Sequence, residues 1–331
     1  MKMKFVTNKW TGGTLLAGLS LIGLPAFAQE AGNFNNGASA PPESAQMAGA
    51  QGERLPITAS VGIAEQFNSK VSNNGGPEPT FSITRFNVGV KAPVRLNDKF
   101  QLGTSFRYGL DAFNFNSLPA GTATPWRNIN TLQAASILAY KVDDTWSVYG
   151  GGFVKLSADS DVALGKGATG GILGGFNYKV NDTLDLGAGF AVANQIQTRA
   201  MFVPLFTARW QFADQWRLDA GLTDVATTGY GAEVKWLFSD AWNFGFGVQY
   251  HKSRFRIASP DGTGGDGAGQ EKAATIYADA TWHATPKVDV DGFVGVAAGG
   301  NVAAYDNARN KTWGYNYKPA PILGLKGSVR F

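Results

Sequence analysis

Five short segments of this chain repeat one design: Asp, any residue, a large apolar residue, any residue, a large apolar residue. They are Asp98-Lys99-Phe100-Gln101-Leu102, Asp144-Thr145-Trp146-Ser147-Val148, Asp182-Thr183-Leu184-Asp185-Leu186, Asp214-Gln215-Trp216-Arg217-Leu218 and Asp240-Ala241-Trp242-Asn243-Phe244. A looser sixth copy is Thr285-Pro286-Lys287-Val288-Asp289-Val290. Each reads as a polar tight turn opening into a strand with one apolar face. Six turns pair twelve strands; one more strand near Leu55 to Gln66 and one near Pro319 to Phe331 bring the count to 14. The reading is an all-β chain, an up-and-down antiparallel β-barrel of about 14 strands, with both termini on one side. Twelve strands follow if the short connections 195–199 and 224–228 are over-split.

The period is two along nearly the whole of 55–331. Trp242, Phe244, Phe246, Val248 and Tyr250 alternate with Asn243, Gly245, Gly247 and Gln249, and the runs after Leu184, Phe202 and Trp216 do the same. Glycine recurs inside these runs and argues against helices. Runs of nine to eleven residues have the length of a tilted membrane strand. Phe100, Trp146, Trp216 and Trp242 follow turns, while Tyr140, Tyr178, Trp210, Trp236 and Phe238 precede them. That placement predicts an aromatic girdle at one membrane interface. The other connections, at about 67–79, 111–126, 158–168, 195–199, 224–228, 257–272 and 299–314, are expected to face outward as surface loops.

The chain begins with Lys2, Lys4 and Lys9, a short apolar stretch from Leu15 to Leu24, and Ala26-Phe27-Ala28. This is the pattern of a secretory signal peptide over 1–28, with Gln29 expected to start the mature protein. Three of the 29 basic side chains lie in that segment, against 25 acidic ones in the whole chain. The pI near 9 is therefore partly a targeting feature and does not point to a nucleic-acid partner. No cysteine is present, which excludes disulfides and thiolate metal sites. Residues 29–54 are rich in Gly, Ala, Asn, Pro, Gln and Ser without a period, and read as a disordered periplasmic tail or a small plug. At the other end Leu325, Gly327 and Val329 alternate with Lys326, Ser328 and Arg330 up to Phe331. An alternating last strand ending on an aromatic residue resembles the assembly signal of Gram-negative outer-membrane barrels. With the repeated turns, the chain resembles porin-like and uncharacterised barrel families. The resemblance implies a bacterial outer-membrane location, membrane lipid and the barrel-assembly machinery as partners, and Phe331, Val329 and Leu325 as the assembly signal. It says nothing of oligomeric state.

Alternation then assigns a lumen face. It carries Arg85, Lys91, Arg107, Lys141, Lys179 and Arg209, and further on Asp219, Glu233, Asp279, Asp289 and Asp291, with many glycines between. A ring of about 14 strands is wider than its side chains fill, so water is expected to solvate these charges. Lys91, Lys141, Lys179 and Arg209 come from the first eight strands, and the five acids from the last six. At equal depth they would set a field across the bore; the alternative is local ion pairing.

No catalytic, metal or cofactor site is expected. His251-Lys252-Ser253 resembles part of the outer-membrane phospholipase site, but Arg254-Phe255 follow where that family has Asn-Gly, and no third group is apparent. His283 beside Trp282 reads as an interfacial residue. Asp261-Gly262-Thr263-Gly264-Gly265-Asp266-Gly267 lacks the regular carboxylate spacing of a calcium loop. The aromatic segment 305–317 reads as packing against the barrel rim, or as a surface ligand site. The functional expectation is a non-enzymatic outer-membrane channel for passive diffusion of small polar solutes. The alternatives are a non-conducting structural or adhesive barrel and a hydrophobic-compound transporter.

Overall fold

The computed structural model describes residues 55–71, 79–118, 124–225, 228–258 and 266–331. The expected signal peptide and the 29–54 tail lie outside these. The strands are β1 Thr58–Lys70, β2 Thr80–Arg95, β3 Phe100–Asn116, β4 Asn128–Lys141, β5 Trp146–Asp159, β6 Ala168–Asn181, β7 Leu184–Gln195, β8 Thr198–Ala213, β9 Trp216–Thr223, β10 Gly229–Leu237, β11 Trp242–Ile257, β12 Gly267–Thr285, β13 Val288–Tyr305, β14 Lys311–Tyr317 and β15 Ala320–Arg330. β1 to β13 pair antiparallel in chain order, β14 and β15 both pair with β13, and β15 pairs back onto β1, so the meander closes.

There are fifteen strand segments but 14 wall positions. β14 and β15 lie along β13 in one unbroken register, Gly300 opposite Tyr317 and Ala297 opposite Ala320. They are one strand interrupted at Lys318-Pro319, where proline brings no N–H to the ladder. Following the pairing once round returns to β1 displaced by about 16 residues, a stagger that tilts the strands by roughly 40°.

The outside of the wall is apolar. Phe202, Phe206, Phe246, Ile172, Val294 and Leu325 each leave more than half of their surface exposed. So broad an exposed apolar face has lipid as its natural solvent. Near the tight turns aromatic side chains pair across neighbouring strands: Phe100 on Tyr140 at 4.7 Å, Trp146 on Tyr178 at 4.5 Å, Trp216 on Trp236 at 6.0 Å and Trp242 on Trp282 at 6.1 Å between ring centres. Phe331 ends the last strand with its N–H donated to the Ile57 carbonyl at 2.9 Å. Val329 and Leu325 face outward beside it.

Two expectations about the outer connections need correction. Most are shorter than predicted, because the strands run on: β12 starts at Gly267, β13 reaches Tyr305 and β14 starts at Lys311. Inward small and aromatic side chains continue the two-residue period there, which a search for large outward apolar residues overlooks. Asp224, Val225 and Thr228, expected in a surface loop, lie inside the barrel. β9 and β10 are short, and β8–β9 pairing stops at Ala220. Gly221, at φ +131°, bends the chain inward at that point.

Candidate functional site: a charged cavity, an internal carboxylate and a filled outer end

Three layers fill the bore. Nearest the tight turns is a cavity of about 540 Å³, reaching from Asp143 and Asp144 in the β4–β5 turn to Asp224 and Val225. Its wall carries much of the charge. Asp219 and Glu233 are directly opposed on β9 and β10, and like charges so placed repel. Arg217 contacts Asp219 at 3.0 Å, and Lys235 reaches Glu233 at 3.3 Å and Asp219 at 3.7 Å. These cations offset the repulsion. Arg209 approaches Asp219 at 3.7 Å from the neighbouring strand. Lys141 pairs with Asp144 at 2.6 Å and Lys179 with Asp182 at 2.7 Å. In those two turns the lysine hydrogen bond and charge hold the exposed aspartate carboxyls below their ordinary range.

Asp224 forms the second layer. Its Oδ1 accepts from Arg107 at 3.1 Å and from the Thr228 hydroxyl at 2.8 Å. Lys326 donates to its Oδ2 at 3.1 Å and to its backbone carbonyl at 3.2 Å. Lys91 stands on the same face of β2 as Gly89, the residue paired with Arg107. Val225 packs beside Ala64, Tyr277, Phe293 and Ile322. Beyond Asp224 lies a smaller chamber of about 110 Å³, lined among others by Arg85, Asp111, Lys155, His251 and Ser253.

The third layer seals the outer end. Ala158 of β5 and Arg256 of β11 form a parallel bridge across the bore. The ring so narrowed is filled by Phe81, Phe113, Phe255 and Tyr317 around Trp126, which is 1% exposed. Trp126 meets Phe255 at 5.2 Å and Phe113 and Trp313 at 5.7 Å. Gln197, in the β7–β8 turn, donates to the Asp306 carbonyl at 2.9 Å. The expectation of water throughout the bore is therefore corrected: closure by β5 and β11 leaves too few strands at that end to keep it open.

All eleven charges assigned to the lumen by alternation lie on the inward parity of their strands, in scattered groups. Arg107 and Lys91 belong to the Asp224 layer. Lys141, Lys179, Arg209, Asp219 and Glu233 belong to the cavity wall. Asp279 stands with Glu233 over Gly245, where a Cβ would collide with both carboxylates. Asp291 accepts from Thr281 at 2.7 Å. Asp289 is held near the turns by Arg330 at 2.6 Å and by His283 at 2.7 Å. His283 thus faces inward, bridging Asp289 and Asn243. Most of these charges pair locally, as opposed neighbours at low dielectric do.

Arg85 belongs to a network that alternation did not assemble. Glu271, 2% exposed, contacts His251 at 2.6 Å, the Tyr317 hydroxyl at 2.7 Å and Arg85 at 3.5 Å. His251 is thus a buried partner of Glu271. Glu271 lies inside the segment 257–272 and Asp224 inside 224–228, both of which read as loops in the sequence. Of the segment 305–317, Trp313, Tyr315 and Tyr317 pack on the aromatic cluster and Tyr305 lies under Arg254 at 4.7 Å, while 307–312 are exposed. Among the described residues no group of His, Asp or Glu is arranged to hold a metal ion.

Comparison with solved structures returns outer-membrane barrels. An outer membrane channel from Pseudomonas putida F1 is 11% identical, with 84% of this chain and 97% of that chain covered at a TM-score of 0.45. A Pseudomonas aeruginosa FadL homologue is 12% identical over 83% and 90%, at 0.48. The P. putida toluene transporter TodX is 10% identical over 83% and 90%, at 0.45. TM-scores below 0.5 assign neither a solute nor a mechanism to this chain. No curated protein matches the sequence. The closed 14-strand meander, its lipid-facing apolar wall and its aromatic band are those of a bacterial outer-membrane β-barrel. A model of the family described as a domain of unknown function, DUF6268, matches residues 145–322, just over half of the sequence, and the chain belongs to that family.

Proposed function

We propose that this barrel is an outer-membrane channel that passes small polar solutes and rests closed. One observation carries the reading: the charged cavity of about 540 Å³ that ends against Asp224, with a second polar chamber behind it. A wall built only to stand in lipid has no need of an inner face carrying Lys141, Lys179, Arg209, Asp219 and Glu233 around empty space. Charges beside water cost little to keep and act on passing ions. The Asp224 layer and the aromatic outer layer would each have to shift for passage.

The test is planar-bilayer recording of the refolded protein. Discrete conductance steps with a low open fraction are expected. Replacing Asp279, Asp289 and Asp291 together by Asn should move the permeability ratio toward anions, because it leaves inward cations less opposed. A folded protein with no steps at any voltage would refute the channel. The filled outer end favours that second reading, a non-conducting barrel whose role is structural.

A further inference from the structure

Asp224 is an internal anion held by cations of the barrel wall. Arg107 on β3 and Lys326 on β15 grip its carboxylate at 3.1 Å each, and Lys91, two residues along β2 from the Gly89 that pairs with Arg107, adds a third positive charge on the same face. The three cations stand on hydrogen-bonded strands of the ring, whereas the carboxylate comes from a connection between strands. Asp291, opposite Lys326 in the β13–β15 register, bonds Thr281 instead. Three wall charges around one bound carboxylate leave positive charge in excess, in a place reached from the cavity below.

We propose that Lys91, Arg107 and Lys326 form a binding site for small dicarboxylates, which Asp224 occupies in this structure as a stand-in for the solute. The inference rests on the channel reading only in that the solute must arrive through the lower cavity. A carboxylate of the free solute makes the same charge-assisted hydrogen bonds that Asp224 makes now. A second carboxylate answers the charge that Asp224 leaves unopposed, so a dicarboxylate should bind better than acetate. Because Asp224 is tethered, it competes at an effective concentration on the order of millimolar, and solute must reach that range to displace it.

Calorimetric titration of sodium succinate into the full-length mature protein, refolded in detergent, tests this directly. Asp224→Asn should bind succinate at least about tenfold more tightly than the unaltered protein, since the tethered competitor is gone. Adding Arg107→Gln and Lys326→Met to Asp224→Asn should abolish the heat, with folding verified by heat-modifiable migration on gels. Equal affinity with and without Asp224, or undiminished binding without Arg107 and Lys326, would overturn the site. Should the triple variant fail to fold, tighter binding of succinate than of acetate to Asp224→Asn is the deciding comparison, and equal or weaker binding of succinate refutes the proposal. Failure of the channel reading would look different: binding intact, and no conductance in bilayers.

Discussion

Glu271 shows most clearly what a single residue does in this barrel. Its carboxylate is buried among side chains from β2, β11 and β14, strands that do not all neighbour one another. It ties the outer ring across the bore. Removing one member of such a group leaves the others buried without their charge partner. Glu271→Ala should therefore cost about 3–5 kcal/mol of stability, measured by urea unfolding in detergent micelles. A loss below about 1 kcal/mol would mean that Arg85 and His251 are solvated in place. In the sequence, alternation marks Arg85 as inward, whereas Glu271 lies in a segment that reads as a loop. Their partnership is not legible there. It depends on strand stagger, which sets which residues of distant strands share a depth, and no local pattern encodes that. The same holds for Asp224, whose partners lie more than a hundred positions away in Arg107 and Lys326.

At the scale of elements, the tight turns were readable because each repeats one composition, and the aromatic band followed from their placement. The outer ends were less readable. There the inward face switches from charged and glycine residues to Ala, Phe and Trp, so composition no longer separates strand from loop. The β9–β10 hairpin is the clearest case: 224–228 has the makeup of a surface loop, yet Asp224 and Thr228 lie inside the barrel, after the bend at Gly221. Gly221 has a φ open to glycine, and a Cβ there would lie 2.9 Å from Cγ2 of Thr207. Gly221→Val should cost about 1–3 kcal/mol in the same unfolding assay. Gly327→Ala should change stability by no more than about 0.5 kcal/mol, since a Cβ at Gly327 meets nothing within 4 Å. Equal effects at the two glycines would mean that the inward bend is not what Gly221 supplies.

At the scale of the whole molecule, two features point in opposite directions. The wall is a closed ring with a charged inner face and a cavity open toward the tight turns. The outer end is packed like a protein core, with Trp126 at its centre. A channel that rests closed accommodates both. The aromatic layer excludes water and ions while packed, and it is held by stacking and edge contacts worth roughly 0.5–1.5 kcal/mol each beyond their burial. Asp224 divides what remains of the bore into two chambers, so the lower cavity fills from one side only.

Bilayer recording of the Trp126→Ala, Trp313→Ala double variant beside the unaltered protein tests that account most directly. The two indoles pack against each other and against Phe115 in the outer layer, and deleting them opens that layer without touching the inward charges. The account predicts discrete steps of markedly higher open fraction in the double variant, in a barrel still folded by heat-modifiable migration. A folded double variant whose open fraction is no higher than that of the unaltered protein would contradict it.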